Sequence, residues 1–204
     1  MRLRLIAATL TLAAATSPLH AQTPCTPVAS FGSLAAATFG GTGIPNNAVM
    51  QSTCGGVTLG LTATPHYSSP ALSNDGLGNF YATPGFDGPN RAKWNFDFFV
   101  GGAGANDYFK LLMNGVELTP YYGSSFDRQD SGNIGFAFIG GDPTLDNTDY
   151  VFALTQFSDA ARTQAVQGVS IDVHVTSTPE PASMILVATG LLGMGVVSRR
   201  RKHA

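Results

Sequence analysis

The stretch KWNFDFFV, residues 93–100, sets Trp94, Phe96, Phe98 and Val100 on one side and Asn95 and Asp97 on the other. A period of two marks a half-buried β-strand, because successive side chains of an extended chain point to opposite faces. The same period recurs on both sides of this stretch. VTLGLTA (57–63) aligns Val57, Leu59, Leu61 and Ala63, DYVFALTQF (149–157) aligns Tyr150, Phe152 and Leu154, and VSIDVHV (169–175) aligns Val169, Ile171, Val173 and Val175. NIGFAFIG (133–140) predicts one more strand, with Ile134, Phe136 and Phe138 on one face. In YFKLLMNGVELTPYY (108–122), Asn114-Gly115 falls between two apolar runs, the strongest short-range signal for a hairpin. NDGLGN (74–79), GGAGAND (101–107), FDRQDSGN (126–133) and GGDPTLDNTD (140–149) read as turns, and SDAARTQAVQ (158–167) as one helical turn or a polar loop.

The fold expected from these periods is all-β, an antiparallel β-sandwich of jelly-roll type over residues 57–176. Residues 22–56, rich in Pro, Thr, Ala, Ser and Gly, are expected to form an irregular arm or paired edge strands. Cys25 and Cys54 are the only cysteines, and an oxidising compartment lets them pair across this segment.

Both ends of the chain read as targeting segments. Residues 1–21 combine a basic start (Arg2, Arg4), an uncharged and mostly apolar run at 5–15, and a Ser17-Pro18 break before the small residue Ala21. This is the three-part layout of a secretory signal peptide, with cleavage expected between Ala21 and Gln22. Between the two ends, Arg91, Lys93, Lys110, Arg128 and Arg162 face eleven Asp and Glu117, a balance of −7. So acidic an exported part has no clustered Lys and Arg for phosphate neutralisation, and no nucleic-acid partner is expected.

At the other end, Thr178, Pro179, Glu180, Pro181, Ala182 and Ser183 precede an uncharged run over 182–197, followed by Arg199, Arg200, Arg201 and Lys202. The two prolines keep the chain extended before the run. As a helix, 182–197 would be about 24 Å long, short of the ~30 Å hydrocarbon core, so it is expected to be a short transmembrane helix. The basic cluster would act as the stop-transfer signal and stay cytoplasmic, with the β domain on the other side of the membrane.

Pro-Glu-Pro, a short apolar helix and a terminal Arg cluster, in that order over 177–204, resemble the PEP-CTERM sorting domain. The resemblance implies a Gram-negative cell that makes exopolysaccharide, and a precursor exported by the Sec route and anchored in the inner membrane. It implies exosortase as the partner that removes the tail, which leaves the protein at the cell surface or in a biofilm matrix. The stretches at 132–157 and 169–175 resemble the closing strands of exported domains of this kind, for which no activity is generally assigned.

Catalytic constellations do not emerge. His66 and His174 are the only histidines of the exported part, and HExxH, GxSxG, CxxC and a phosphate loop after a strand are all absent from the sequence. A glycan-active enzyme would need two carboxylates facing each other across a cleft, and nothing singles out such a pair among eleven Asp. The chain is expected not to be an enzyme and to need no cofactor. Asp142, Asp146 and Asp149 are hard oxygen donors crowded on one loop and stand as calcium candidates. The stripe Trp94, Phe96, Phe98 reads as core, whereas Tyr121 and Tyr122, beside Gly123, read as exposed rings able to stack on a sugar. Two function classes follow: a surface or matrix protein, and a carbohydrate-binding module for exopolysaccharide.

Overall fold

The computed structural model describes residues 25–67, 71–122 and 128–177. The signal segment 1–21 with Ala21 and Gln22, the motif 178–183, the apolar run 182–197 and the basic cluster 199–202 lie outside the described residues. Within them, no helix is long and apolar enough to cross a membrane.

The fold is all-β. In chain order the strands are β1 (Val28–Gly32), β2 (Val49–Cys54), β3 (Val57–Pro65), β4 (Ser73–Asn74), β5 (Asn79–Ala82), β6 (Trp94–Gly101), β7 (Tyr108–Met113), β8 (Val116–Glu117), β9 (Gln129–Gly132), β10 (Thr148–Phe157) and β11 (Ala165–Val175). The described helix is α1 (Thr119–Tyr122), a single turn. One sheet has the order β1-β2-β3-β6-β9, the other β4-β5-β11-β10-β7-β8.

Two tight turns are written in the sequence. Asn114 and Gly115 join β7 to β8 with φ of 48° and 81°, and Gly55-Gly56 join β2 to β3 with φ of 59° and 87°. Both central residues lie in the left-handed region, which Gly and Asn reach most easily and which matches the twist of the flanking strands.

The sheets bury their alternating apolar faces against each other. Leu59, Leu61 and Ala63 of β3 and Trp94, Phe96 and Phe98 of β6 share one core with Phe152, Leu154, Ile171 and Val173 of β10 and β11. Phe96 stacks on Phe152 at 4.4 Å, and Trp94 meets Phe152 edge-on at 6.2 Å. Each such side chain contributes about 1.5–3 kcal/mol by leaving water. The stripe Trp94, Phe96, Phe98 is therefore core.

Four expectations need correction. The sheets are not purely antiparallel, because β5 pairs with β11 in parallel. NIGFAFIG forms turns rather than a strand. The strand lies just before it, where FDRQDSGN reads as a turn: Gln129–Gly132 pairs with β6 as β9. Tyr122 is buried against Phe96 and Phe98, so of the two tyrosines only Tyr121 is exposed.

Residues 28–54 are continuous with the rest. β1 and β2 extend the first sheet, and the loop between them folds back over that sheet's outer face. Leu34, Ala37 and Phe39 of the loop bury Val49 and Phe99, the outward-facing residues beneath them. A disulfide joins Cys25 to Cys54, with Cα atoms 5.6 Å apart.

Candidate functional site: a polar-floored cleft on the outer face of the first sheet

Alternation dictates what lies under the loop. With Leu59, Leu61, Ala63, Trp94, Phe96 and Phe98 turned inward, the outer face carries Thr62, Thr64, Asn95, Asp97 and Ser131. The loop covers only part of this polar surface. Where it ends, a cleft of about 550 Å³ opens, with Asn95, Ser131 and Asn133 on its floor. Gly41, Thr42, Gly43, Ile44 and Pro45 form one wall, and His66, Tyr67, Arg91 and Phe136 line the remainder. A cleft of this size with a few convergent polar groups is the usual form of a small-ligand site.

The floor is held rigidly. The Asn133 carboxamide donates to the carbonyls of Ala92 and Trp94 and to Asn95 Oδ1, at 3.0, 3.1 and 2.7 Å. Its Oδ1 accepts the N–H groups of Ala92 and Gly135 at 2.7 and 2.9 Å. The bond to Gly135, two residues on, is an Asx turn, and it converts the apolar alternation of 134–138 into turns.

The lip is set by strain. His66, itself buried, receives its place from a 2.8 Å bond between its backbone N–H and the Lys93 carbonyl. Its Nδ1 stands 3.4 Å from Asp87 Oδ2 and has no hydrogen-bond partner among the described residues. The next residue, Tyr67, has φ of 49° and is 88% exposed, its ring 4.1 Å from the His66 ring. A tyrosine in the left-handed region costs about 1–2 kcal/mol. Such outliers persist where surrounding structure enforces them, often at ligand sites.

Opposite, the Arg91 guanidinium lies over the Phe136 ring at 4.2 Å. Phe136 stacks on Phe138 at 5.3 Å, and Phe138 meets Tyr121 at 5.1 Å, with Phe138 and Tyr121 46% and 55% exposed. A ridge of rings thus leads out of the cleft. The turns at 134–139 carry Phe136 and Phe138, and Phe138 reaches Tyr121 from them.

Beneath the floor, Asp97 is wholly buried. Thr64 donates its hydroxyl to Oδ2 at 2.7 Å, while Oδ1 has no hydrogen-bond partner among the described residues. Burial pushes its carboxyl up to about 7; the Ser131 and Thr64 hydroxyls oppose this and the Asp130 charge adds to it.

The three calcium candidates are not gathered by the fold. Asp142 accepts from Thr144 N–H and hydroxyl at 2.9 and 2.7 Å, which holds its carboxyl below the usual range. Asp146 accepts both the N–H and the hydroxyl of Ser177, with the same effect on its carboxyl. Asp149 instead meets His174 Nδ1 at 2.7 Å on the outer face of the second sheet. There Asp149, Asp172 and His174 bring ligand atoms within 4.8 Å of one another, and Tyr81 stacks on His174 at 5.4 Å. Cross-strand register unites these residues, with His174 opposite both Tyr81 and Asp149.

The bond between Ser177 and Asp146 also ties the chain, two residues after β11, to the loop that precedes β10. No curated protein and no solved structure matches the chain. The tail that begins at this point does match: residues 177–202 match the family model of the PEP-CTERM protein-sorting motif, which points to an exported protein sorted by exosortase.

Proposed function

We propose that this chain is a non-catalytic protein of the cell surface or extracellular matrix, released or attached by exosortase at Pro179-Glu180-Pro181, whose β domain binds exopolysaccharide. The observation that carries the binding reading is the cleft. Its floor is polar and fixed, its lip presents Tyr67 in a strained conformation, and a ridge of rings continues from Phe136 to Tyr121. Rings lend flat apolar faces to the C–H faces of a sugar, and amide and hydroxyl groups on the floor suit its hydroxyls.

The test separates binding from sorting. In affinity electrophoresis through gels containing the producing cell's purified exopolysaccharide, the exported protein is expected to be retarded, and Tyr67→Ala to run ahead of wild type. Equal mobility with and without polysaccharide overturns the binding reading. For sorting, mass spectrometry of the surface form is expected to find a C-terminus upstream of the basic cluster; an intact chain through Ala204 overturns processing.

A further inference from the structure

We infer that the sugar unit held in the cleft is acidic, with its carboxylate on the Arg91 guanidinium. The inference rests on the glycan-binding reading above and adds the chemical class of the ligand. Among the Lys and Arg residues of the exported part, Arg91 is the one that lines the cleft. Arg162 pairs with Glu117, and the Lys110 ammonium sits 5.3 Å from the centre of the Phe157 ring. Arg91 makes no ion pair among the described residues, yet it is fixed, because its guanidinium lies over the Phe136 ring inside the cleft lining.

A guanidinium stacked on a ring keeps its edge free, and that edge carries the N–H fork that fits a planar carboxylate in bidentate fashion. The nearby carboxylate of Asp87 does not occupy it, since Asp87 Oδ2 lies against His66 Nδ1. Charge makes the placement selective. The exported part is acidic overall, so an acidic polymer gains little from its surface at large, and within the cleft lining Arg91 is the cation that can hold it. The rings of Phe136, Phe138 and Tyr121, spaced 5.3 and 5.1 Å, would then carry the units that follow.

The experiment compares three probes on the purified exported protein by titration calorimetry: oligogalacturonate, its full methyl ester, and a neutral glucan oligomer of equal length. The ester keeps the ring and linkage and removes only the charge. Wild type is expected to bind the acid about tenfold or more tightly than the ester, the scale of a charge-assisted hydrogen bond. In Arg91→Gln that ratio is expected to fall to about one, with Arg91→Lys between the two because it keeps the charge but loses the fork. Equal binding of acid and ester by wild type overturns the inference and leaves the glycan reading standing. A preference for the acid that persists in Arg91→Gln also overturns it, by placing the anion elsewhere. Binding to none of the three, together with no retardation by the native polysaccharide, overturns both.

Discussion

Gln129 Oε1, on the edge strand β9, accepts the backbone N–H of Phe39 at 2.8 Å across ninety positions of chain, and the N–H of neighbouring Thr38 at the same distance. One amide thus ties the covering loop to the sheet and sets the wall of the cleft at residues 41–45. Gln129→Ala removes both bonds and leaves two donors unpaired beside the buried Phe39 ring. At about 0.5–1.5 kcal/mol per bond, the loss is about 1–3 kcal/mol, or a fall in Tm of about 3–10 °C. Thermal unfolding measures it. Polysaccharide affinity is expected to fall as well, since the wall loosens, and Gln129→Glu, which keeps the acceptor, is expected to recover part of each.

The strands that face the core were legible because burial on one side forces alternation, as in β3, β6, β10 and β11. β9 was not, since Gln129–Gly132 has no apolar residue to alternate. It is a strand because β6 offers it a partner, and Gly132 is required there: a Cβ would collide with the Phe96 ring and the Tyr122 hydroxyl. NIGFAFIG misled for the opposite reason. Its apolar period is real, but Asn133 Oδ1 accepts the N–H of Gly135, two residues on, and that of Ala92 across the fold, which turns the chain at this point. The cleft was hidden because its parts come from residues 41–45, 65–67, 91–95 and 131–136, which only the sheet register brings together. No local signal marks Tyr67.

Tyr67 separates stability from binding. Tyr67→Gly relieves the strain at φ of 49° but frees the unfolded chain by a comparable amount, so stability in denaturant is expected to stay within about 1 kcal/mol of wild type. The ring beside His66 is lost, and affinity for polysaccharide is expected to drop about three- to tenfold. Tyr67→Phe keeps the ring and is expected to keep most of the affinity. A loss of several kcal/mol in Tyr67→Gly would instead make Tyr67 a packing residue.

The disulfide closes a loop with a sequence separation of 29, and that loop contains β1, β2 and the whole wall of the cleft. Chain entropy puts its contribution at about 3–4 kcal/mol. Replacing both Cys25 and Cys54 by Ser is expected to lower Tm by about 6–15 °C and to weaken polysaccharide binding in parallel. Mild reduction of the wild-type protein should reproduce both effects. An unchanged Tm after complete reduction would mean that the loop is held by Gln129 and the buried Leu34 and Phe39 alone.

Asp97 makes stability fall as pH rises, against the trend of the surface carboxylates. Its carboxyl titrates at about 7 in the folded chain against an ordinary value of 3.8, so between these values the folded state holds a proton that the unfolded state has released. Stability therefore declines from about pH 4 to about pH 7 and is level beyond, falling by at most about 1.4 kcal/mol for each whole step of pH in that window. Asp75, Asp142, Asp146 and Asp159 have lowered carboxyls and act in the other direction, losing their contribution as pH falls. Those contributions cancel in a difference curve between wild type and Asp97→Asn. That curve, from denaturant unfolding at pH 4–8, is expected to show the variant gaining on wild type with every step up to pH 7. The Asn amide still accepts from Thr64 and carries no charge to bury. A flat curve would mean that the Asp97 carboxylate reaches water through the floor of the cleft, and the floor would then be open between Asn95 and Ser131.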